Sequence, residues 1–334
     1  MSRRAEILEE ARRLLELGAP AAATQLGAML LGVVDTMMVG HLGVLELDAA
    51  ALGSLWVFGT LVLGMGIVLG MDPIVSRAHG ADQPERVAIA LHHGTVLAVL
   101  CALPIGASWL ATEPVLLALG QRPELAAAAH DYVIPQLPSL VPFMMFCALR
   151  QYLQGRGMVV PALGVMLLAN LLNALGNYWL IWGGLGVAPL GLQGAAIATA
   201  ITRSFLFVGL AAWTVHRGLH RGAWVRPSWA SITSPGLGRM LALGLPIGIQ
   251  LGLEVWAFQA TTLLAGRLGE VELAAHVAVL NLASLAFMIP LGVSIGAATR
   301  VGHLLGRGDR AGAQRSAKIA LVLGAGVMAI SAAS

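Results

Sequence analysis

The chain has 334 residues, 57% hydrophobic and only 11% charged, with a mean hydropathy of +0.80 and a formal net charge of +3. A soluble domain carries about 25% charged residues, so the composition excludes a water-clothed globule and points to lipid as the solvent. The net charge is small and the basic residues are scattered among loops, which argues against a nucleic-acid partner.

A bilayer core of roughly 30 Å takes about 20 apolar residues of helix. On that measure the spacing predicts crossings over 15–39, 51–71, 88–110, 127–149, 159–182, 192–215, 240–265 and 277–299, with a ninth running from 319 to Ser334. These runs are long and do not alternate, so the expected class is an all-α membrane protein and not a β-barrel. The first run follows Arg3, Arg4, Arg12 and Arg13, contains Asp35 and is too long for a signal core. It is read as a retained crossing. With the N-terminus inside, the inner segments hold 17 Arg and Lys residues and the outer loops only Arg122 and Arg267. That bias orients the chain with a cytoplasmic N-terminus. Trp109, Tyr178, Trp179 and Trp182 fall near outer ends, as an interfacial belt requires.

The stretch 18–82 recurs from Gly244 at a constant step of 226 residues. Pro20 falls on Pro246, Gly40-His-Leu-Gly43 on Gly266-Arg-Leu-Gly269, and Gly66, Gly70 and Gly80 on Gly292, Gly296 and Gly306. Both copies start on the inner side, so the repeat is parallel, as in transporters built from two similar bundles. The expected organisation is a six-helix lobe over 1–215, a cytoplasmic linker over 216–239, and an incomplete second lobe over 240–334.

Polar residues inside the crossings are the candidate functional groups, because burying them in lipid is costly. Asp35 lies roughly 7 Å below the outer boundary at 1.5 Å per residue. Asn173 and Asn177 are one turn apart on one helix face, and Asn177 and Thr199 reach about the same depth as Asp35. Oxygen ligands on three helices at one level suit a sodium ion or a hydrogen-bond cage for a carboxylic acid. The alternative for the Asn residues, Asn170 included, is interhelical glue.

Glu254 is placed roughly 18 Å below the outer side, near the midplane, where an acid calls for a bound cation or an ion-pair partner. Sodium is the one metal these acids suggest, at Asp35 or Glu254. Arg203 is too deep to snorkel and should line a cavity or pair with an acid, Asp35 being within reach. Gln25 and Gln250 are candidates for the wall of a central cleft, with helix glue as the other reading. Pro20, Pro104, Pro135, Pro138, Pro142, Pro246 and Pro290 are expected to kink or shape their helices. His92-His93 is read as interfacial, Cys101 and Cys147 as inert core thiols, and no Walker-type phosphate loop is present. No cofactor and no catalytic constellation are expected.

In order and spacing these residues resemble multidrug and toxic compound extrusion (MATE) transporters, in particular the NorM-like branch. The likeness rests on Gly18-Ala-Pro20 with Asp35 and Gly40-His-Leu-Gly43, then Leu149-Arg-Gln-Tyr-Leu-Gln-Gly155 and the Asn170/Asn173/Asn177 series. It continues through Gly191-Leu-Gln-Gly-Ala-Ala-Ile-Ala-Thr199 to Leu245-Pro-Ile-Gly-Ile-Gln250 followed by Glu254. The resemblance implies a two-lobe bundle of twelve helices, of which eight or nine fall within this chain. It also implies alternating access in a bacterial inner (plasma) membrane, with export of cationic or amphipathic drugs in exchange for Na+ or H+. It marks Asp35, Asn173, Asn177 and Thr199 as first-lobe coupling positions, and Glu254 as a cation-binding acid. Helices beyond Ser334, including one that carries a further acid, are expected to be needed for activity. A flippase for lipid-linked saccharides and a non-transporting fragment are the alternative readings.

Overall fold

A computed structural model describes residues 3–184, 186–226, 228–229 and 235–333. The helices are α1 (Arg3–Val39), α2 (Val44–Leu69), α3 (Asp72–Gly80), α4 (Pro84–Leu110), α5 (Thr112–Ala118) and α6 (Pro123–Val133). A 3-10 turn (Ile134–Ser139) leads into α7 (Leu140–Gly155), α8 (Val160–Trp182) and α9 (Gly191–His216). After the linker come α10 (Gly236–Leu268), α11 (Glu270–Gly306) and α12 (Arg310–Ala333). Residues 227 and 230–234 of the expected linker, and Ser334 at the end of the expected ninth crossing, lie outside the described residues. Among the described residues nine helical spans are long and apolar enough to cross a bilayer, and the architecture is an all-α, two-lobe membrane bundle.

Several helices outrun the apolar stretches that announced them. The first crossing, expected from residue 15, belongs to a helix that begins at Arg3, and the last begins at Arg310 and not near 319. Backbone hydrogen bonding continues through polar sequence, while hydropathy measures only the part suited to hydrocarbon. Pro20, Pro104, Pro246 and Pro290 lie inside continuous helices, whereas Pro135 and Pro138 sit in the 3-10 turn that separates α6 from α7.

The repeat is visible in the packing. The two polar breaks fold alike, with φ of 157° at Gly43 and 154° at Gly269. Helix α2 packs on α10, and its counterpart α11 packs on α1. Gly70 meets Gly244 so closely that a methyl group on Gly70 would come 2.7 Å from the Gly244 nitrogen. The equivalent Gly296 meets Gly18 at 2.9 Å by the same measure. Farther along, Gly80 lies on the backbone of His303, and its counterpart Gly306 on that of Arg77. Small residues let helix backbones approach in lipid, where no hydrophobic drive separates core from surroundings. Each lobe thus lends its second helix to the first helix of the other, and both contacts lie toward the arginine-rich face.

The first lobe encloses a large core that includes Trp109, Met144, Phe146 and Tyr152, all essentially inaccessible. Trp109 therefore leaves the proposed aromatic belt. Its indole N–H donates to Thr60 Oγ1 at 2.9 Å inside the lobe, so the polar edge that would have sought the interface is satisfied internally. Tyr178, Trp179 and Trp182 remain exposed. The expectation for His92 and His93 is also revised, since both are buried, with His92 Nε2 3.1 Å from the Val225 carbonyl of the linker. Cys147 is buried, Cys101 half-buried, and both are free thiols.

Candidate functional site

Asp35 stands one turn before the end of α1, and α8 and α9 pack against each other beside it. Asn177 Nδ2 donates to Asp35 Oδ1 at 2.5 Å, and the Thr199 hydroxyl donates to Oδ2 at 2.8 Å. Asn173 lies one turn from Asn177, with its Oδ1 3.4 Å from the Asn177 amide nitrogen. Asn173 and Asn177 are fully buried and Asp35 is half-buried. The structure thus joins these four residues, from three helices, in one cluster. Two polar atoms of the cluster, Asn173 Nδ2 and Asn177 Oδ1, are buried and lack a partner. An unsatisfied buried amide is costly, so this pair marks where a further ligand or a changed protonation state would find hydrogen bonds.

The donors facing Asp35 suit an ionised carboxylate. Protonation would turn one oxygen into a donor and require an acceptor in place of a donor. Thr199 meets that demand by rotating its hydroxyl, and Asn177 by turning its amide to present Oδ1. The same rotation would offer oxygens from Asp35, Asn173, Asn177 and Thr199 to a hard cation, the ligand type that sodium-sized ions take. Asn170 serves a different end. Its Nδ2 donates to Gly27 O at 3.0 Å and to Met166 O at 2.9 Å, tying α8 to α1.

Arg203 does not pair with Asp35. Its Nη1 donates to Gln136 Oε1 at 2.9 Å, and its guanidinium lies 5.5 Å from the Phe143 ring centroid and 6.0 Å from that of Trp109. A neutral amide and two ring faces hold this cation inside the lobe. Gln136 escapes a sequence reading because it sits between Pro135 and Pro138, where helical periodicity places nothing. Gln25 accepts from Arg150 Nη1 at 3.0 Å and is not part of the Asp35 cluster. Near it Asp72, at the start of α3, has Gln154 and Arg150 beside it. Asp72 lies just past the expected end of the second crossing, which makes it look like a hydrated boundary acid.

Glu254 and Gln250 occupy successive turns of α10, both exposed, and neither makes a hydrogen bond or ion pair among the described residues. Gly252 and Trp256 of the same helix touch α2, through Leu63 and Gly59. Glu254 is therefore turned away from the first lobe's second helix and does not join the Asp35 cluster. No group of three or more His, Cys, Asp or Glu side chains suited to a metal occurs among the described residues.

The model of the MatE family matches residues 20–179 and 246–334, two segments whose starts are separated by the repeat step. The chain is 33% identical over 317 residues to multidrug and toxin extrusion protein 1 of Mus musculus, covering 95% of this chain and 55% of that protein. It is 36% identical over 327 residues to a probable multidrug resistance protein NorM of Rhizobium meliloti strain 1021, covering 96% and 68%. The chain thus spans about half the length of the vertebrate relatives it matches. The fold superposes on the crystal structure of the eukaryotic MATE transporter AtDTX14 with a TM-score of 0.86 at 23% identity, over 95% of this chain and 70% of that one. It also superposes on an outward-facing multidrug resistance MATE transporter with a TM-score of 0.81 at 20% identity, over 97% and 71%.

Proposed function

This chain belongs to the MatE family, and from that premise we propose that it works as a secondary active antiporter, exporting cationic or amphipathic compounds in exchange for Na+ or H+. In this proposal 1–215 and 240–334 act as the two lobes and 216–239 as their cytoplasmic linker. The protein sits in a bacterial inner membrane with its N-terminus in the cytoplasm, as the distribution of Arg and Lys supports.

The observation that carries the proposal is the closure of Asn177 and Thr199 on Asp35 within a lobe whose core is mostly apolar. A carboxylate in a low-dielectric bundle is tolerated when donors satisfy it, and those donors are what a cation must displace or reverse. Neutralising Asp35 replaces two charge-assisted hydrogen bonds with neutral ones of roughly half the strength. The tie of α1 to α8 and α9 weakens accordingly, which changes the relative free energies of two packings of the first lobe. Export is coupled only if the cation and the exported compound favour different packings. Glu254 and Gln250, unpaired among the described residues on the exposed side of α10, are assigned to contact with the exported cation.

The test is dye efflux from vesicles with an imposed sodium or proton gradient, made on this chain and on a version extended to the length of its relatives. Gradient-driven efflux should fall by at least about tenfold in Asp35→Asn, the scale of a typical coupling free energy. Glu254→Gln should weaken the apparent affinity for a cationic dye and leave that for a neutral amphiphile unchanged. Efflux by the unaltered chain that ignores both gradients would remove the antiporter proposal.

A further inference from the structure

The repeat relates two junctions at the arginine-rich face, and they are built from different chemistry. At the first, α1 meets α11 and α12 through acids. Arg300 Nε and Nη2 bind Glu10 Oε1 and Oε2 at 2.8 and 2.9 Å, and Arg315 Nη1 lies 2.6 Å from Glu6 Oε2. The step of 226 carries Arg300 onto Ile74, Arg315 onto Ile89 and Glu10 onto Gly236. These three residues line a cavity of about 890 Å³ at the second junction, where α3 and α4 face the starts of α10 and α12 and the end of α11. The ion pairs of one junction are replaced by open space in the other.

The open junction is also cationic. Arg77, Arg86, Arg239 and Arg310 line it, and no carboxylate does among the described residues. Arg86 donates to Gln83 Oε1 at 2.8 Å, while Arg77, Arg239 and Arg310 are exposed and form no ion pair among the described residues. A bias of basic residues to the inner face accounts for arginines at both junctions. It does not account for the loss, at one junction only, of the acids that neutralise them at the other. The rest of the wall is mostly apolar, with Leu243 and Leu305 beside Ile74 and Ile89, and Gln83 and His93 as its other polar side chains. Arginines lining a cavity with a mostly apolar wall match a phosphate carried on acyl chains, since the fork of arginine takes phosphate oxygens in pairs.

We propose that this cavity binds the phosphate headgroup of an anionic phospholipid from the inner leaflet. The bound headgroup supplies at the second junction the negative charge that Glu6 and Glu10 supply at the first, and it bridges α3 and α4 to α10 and α12.

The test places the protein in nanodiscs of phosphatidylcholine containing a minor share of phosphatidylglycerol, then releases it for native mass spectrometry. Phosphatidylglycerol should be retained over phosphatidylcholine by at least about tenfold. The Arg77→Gln/Arg239→Gln/Arg310→Gln variant should lose this preference, whereas Arg217→Gln/Arg221→Gln, on the same face but outside the cavity, should keep it. Gly236→Glu provides a second route if the triple variant does not fold. It restores an acid at the position equivalent to Glu10 and should expel phosphatidylglycerol. Unchanged retention in Gly236→Glu, or equal retention of the two lipids by the unaltered protein, would overturn the proposal. Displacement of the lipid by millimolar glycerol phosphate would overturn the lipid source and identify a soluble phosphate as the ligand.

Discussion

The two copies of the repeat share their backbone contacts and divide their chemistry. Gly70 on Gly244 and Gly296 on Gly18 are the same contact made twice. Yet the partner of Asp35 is Thr261, and the partner of Glu254 is Ala28. Asp35 is held by Asn177 and Thr199, whereas Glu254 is exposed and unpaired among the described residues. Duplication fixes what depends on helix geometry, because a glycine contact survives only if both surfaces keep their shape. It leaves side chains inside each lobe free to diverge, since a polar group needs only local partners. The symmetric part of the molecule therefore holds the lobes together, and the asymmetric part carries the candidate chemistry.

The largest effect should come from breaking the shared contact. A side chain on Gly244 would run into the Ile67 carbonyl of α2, a backbone atom that cannot turn aside. Gly244→Leu should cost about 3 kcal/mol, the upper end of the overpacking range, read as a lower midpoint of thermal unfolding in detergent. Gly324→Leu, with open space around it, should leave the midpoint in place. Equal midpoints for the two variants would mean that the glycine contact does not hold the lobes.

A smaller loss, and one confined to the first lobe, is expected from Gln136→Leu, which leaves the Arg203 guanidinium without its hydrogen-bond acceptor. An unmet bond to a charged group costs about 1.5–3 kcal/mol. Hydrogen exchange should rise in α7 and α9 and not in α10, which separates local loosening from separation of the lobes.

Glu10→Gln should have a similar or slightly smaller effect at the junction that ion pairs close. Both partners of the Glu10–Arg300 pair are only 11–13% exposed at the side chain, so salt should screen the pair weakly. A loss of about 1–2 kcal/mol that persists at high ionic strength is expected. The smallest effect belongs to Glu254→Gln, whose side chain makes no hydrogen bond or ion pair among the described residues. Its unfolding midpoint should match the parent within about 0.5 kcal/mol, even if cationic-dye transport changes. A large stability loss in Glu254→Gln would show that the two carboxylates are more alike than their surroundings indicate.

The solvent, the helical class, the approximate spans and the repeat are legible in the amino-acid order alone. Each of these depends on hydrophobicity or spacing along one chain, and lipid penalises any exception. That order also brought Asp35, Asn177 and Thr199 to one depth, because depth along a helix is counted in residues. What lies beside what at that depth came from the packing of the helices. That packing gave Arg203 to Gln136 and two aromatic rings in place of Asp35, buried Trp109 and His92, and turned Glu254 away from α2. It also closed one junction with acids and left its counterpart open. Rotation about a helix axis and the choice among neighbouring helices are set by packing between segments far apart in the chain, and no periodicity within one segment records them.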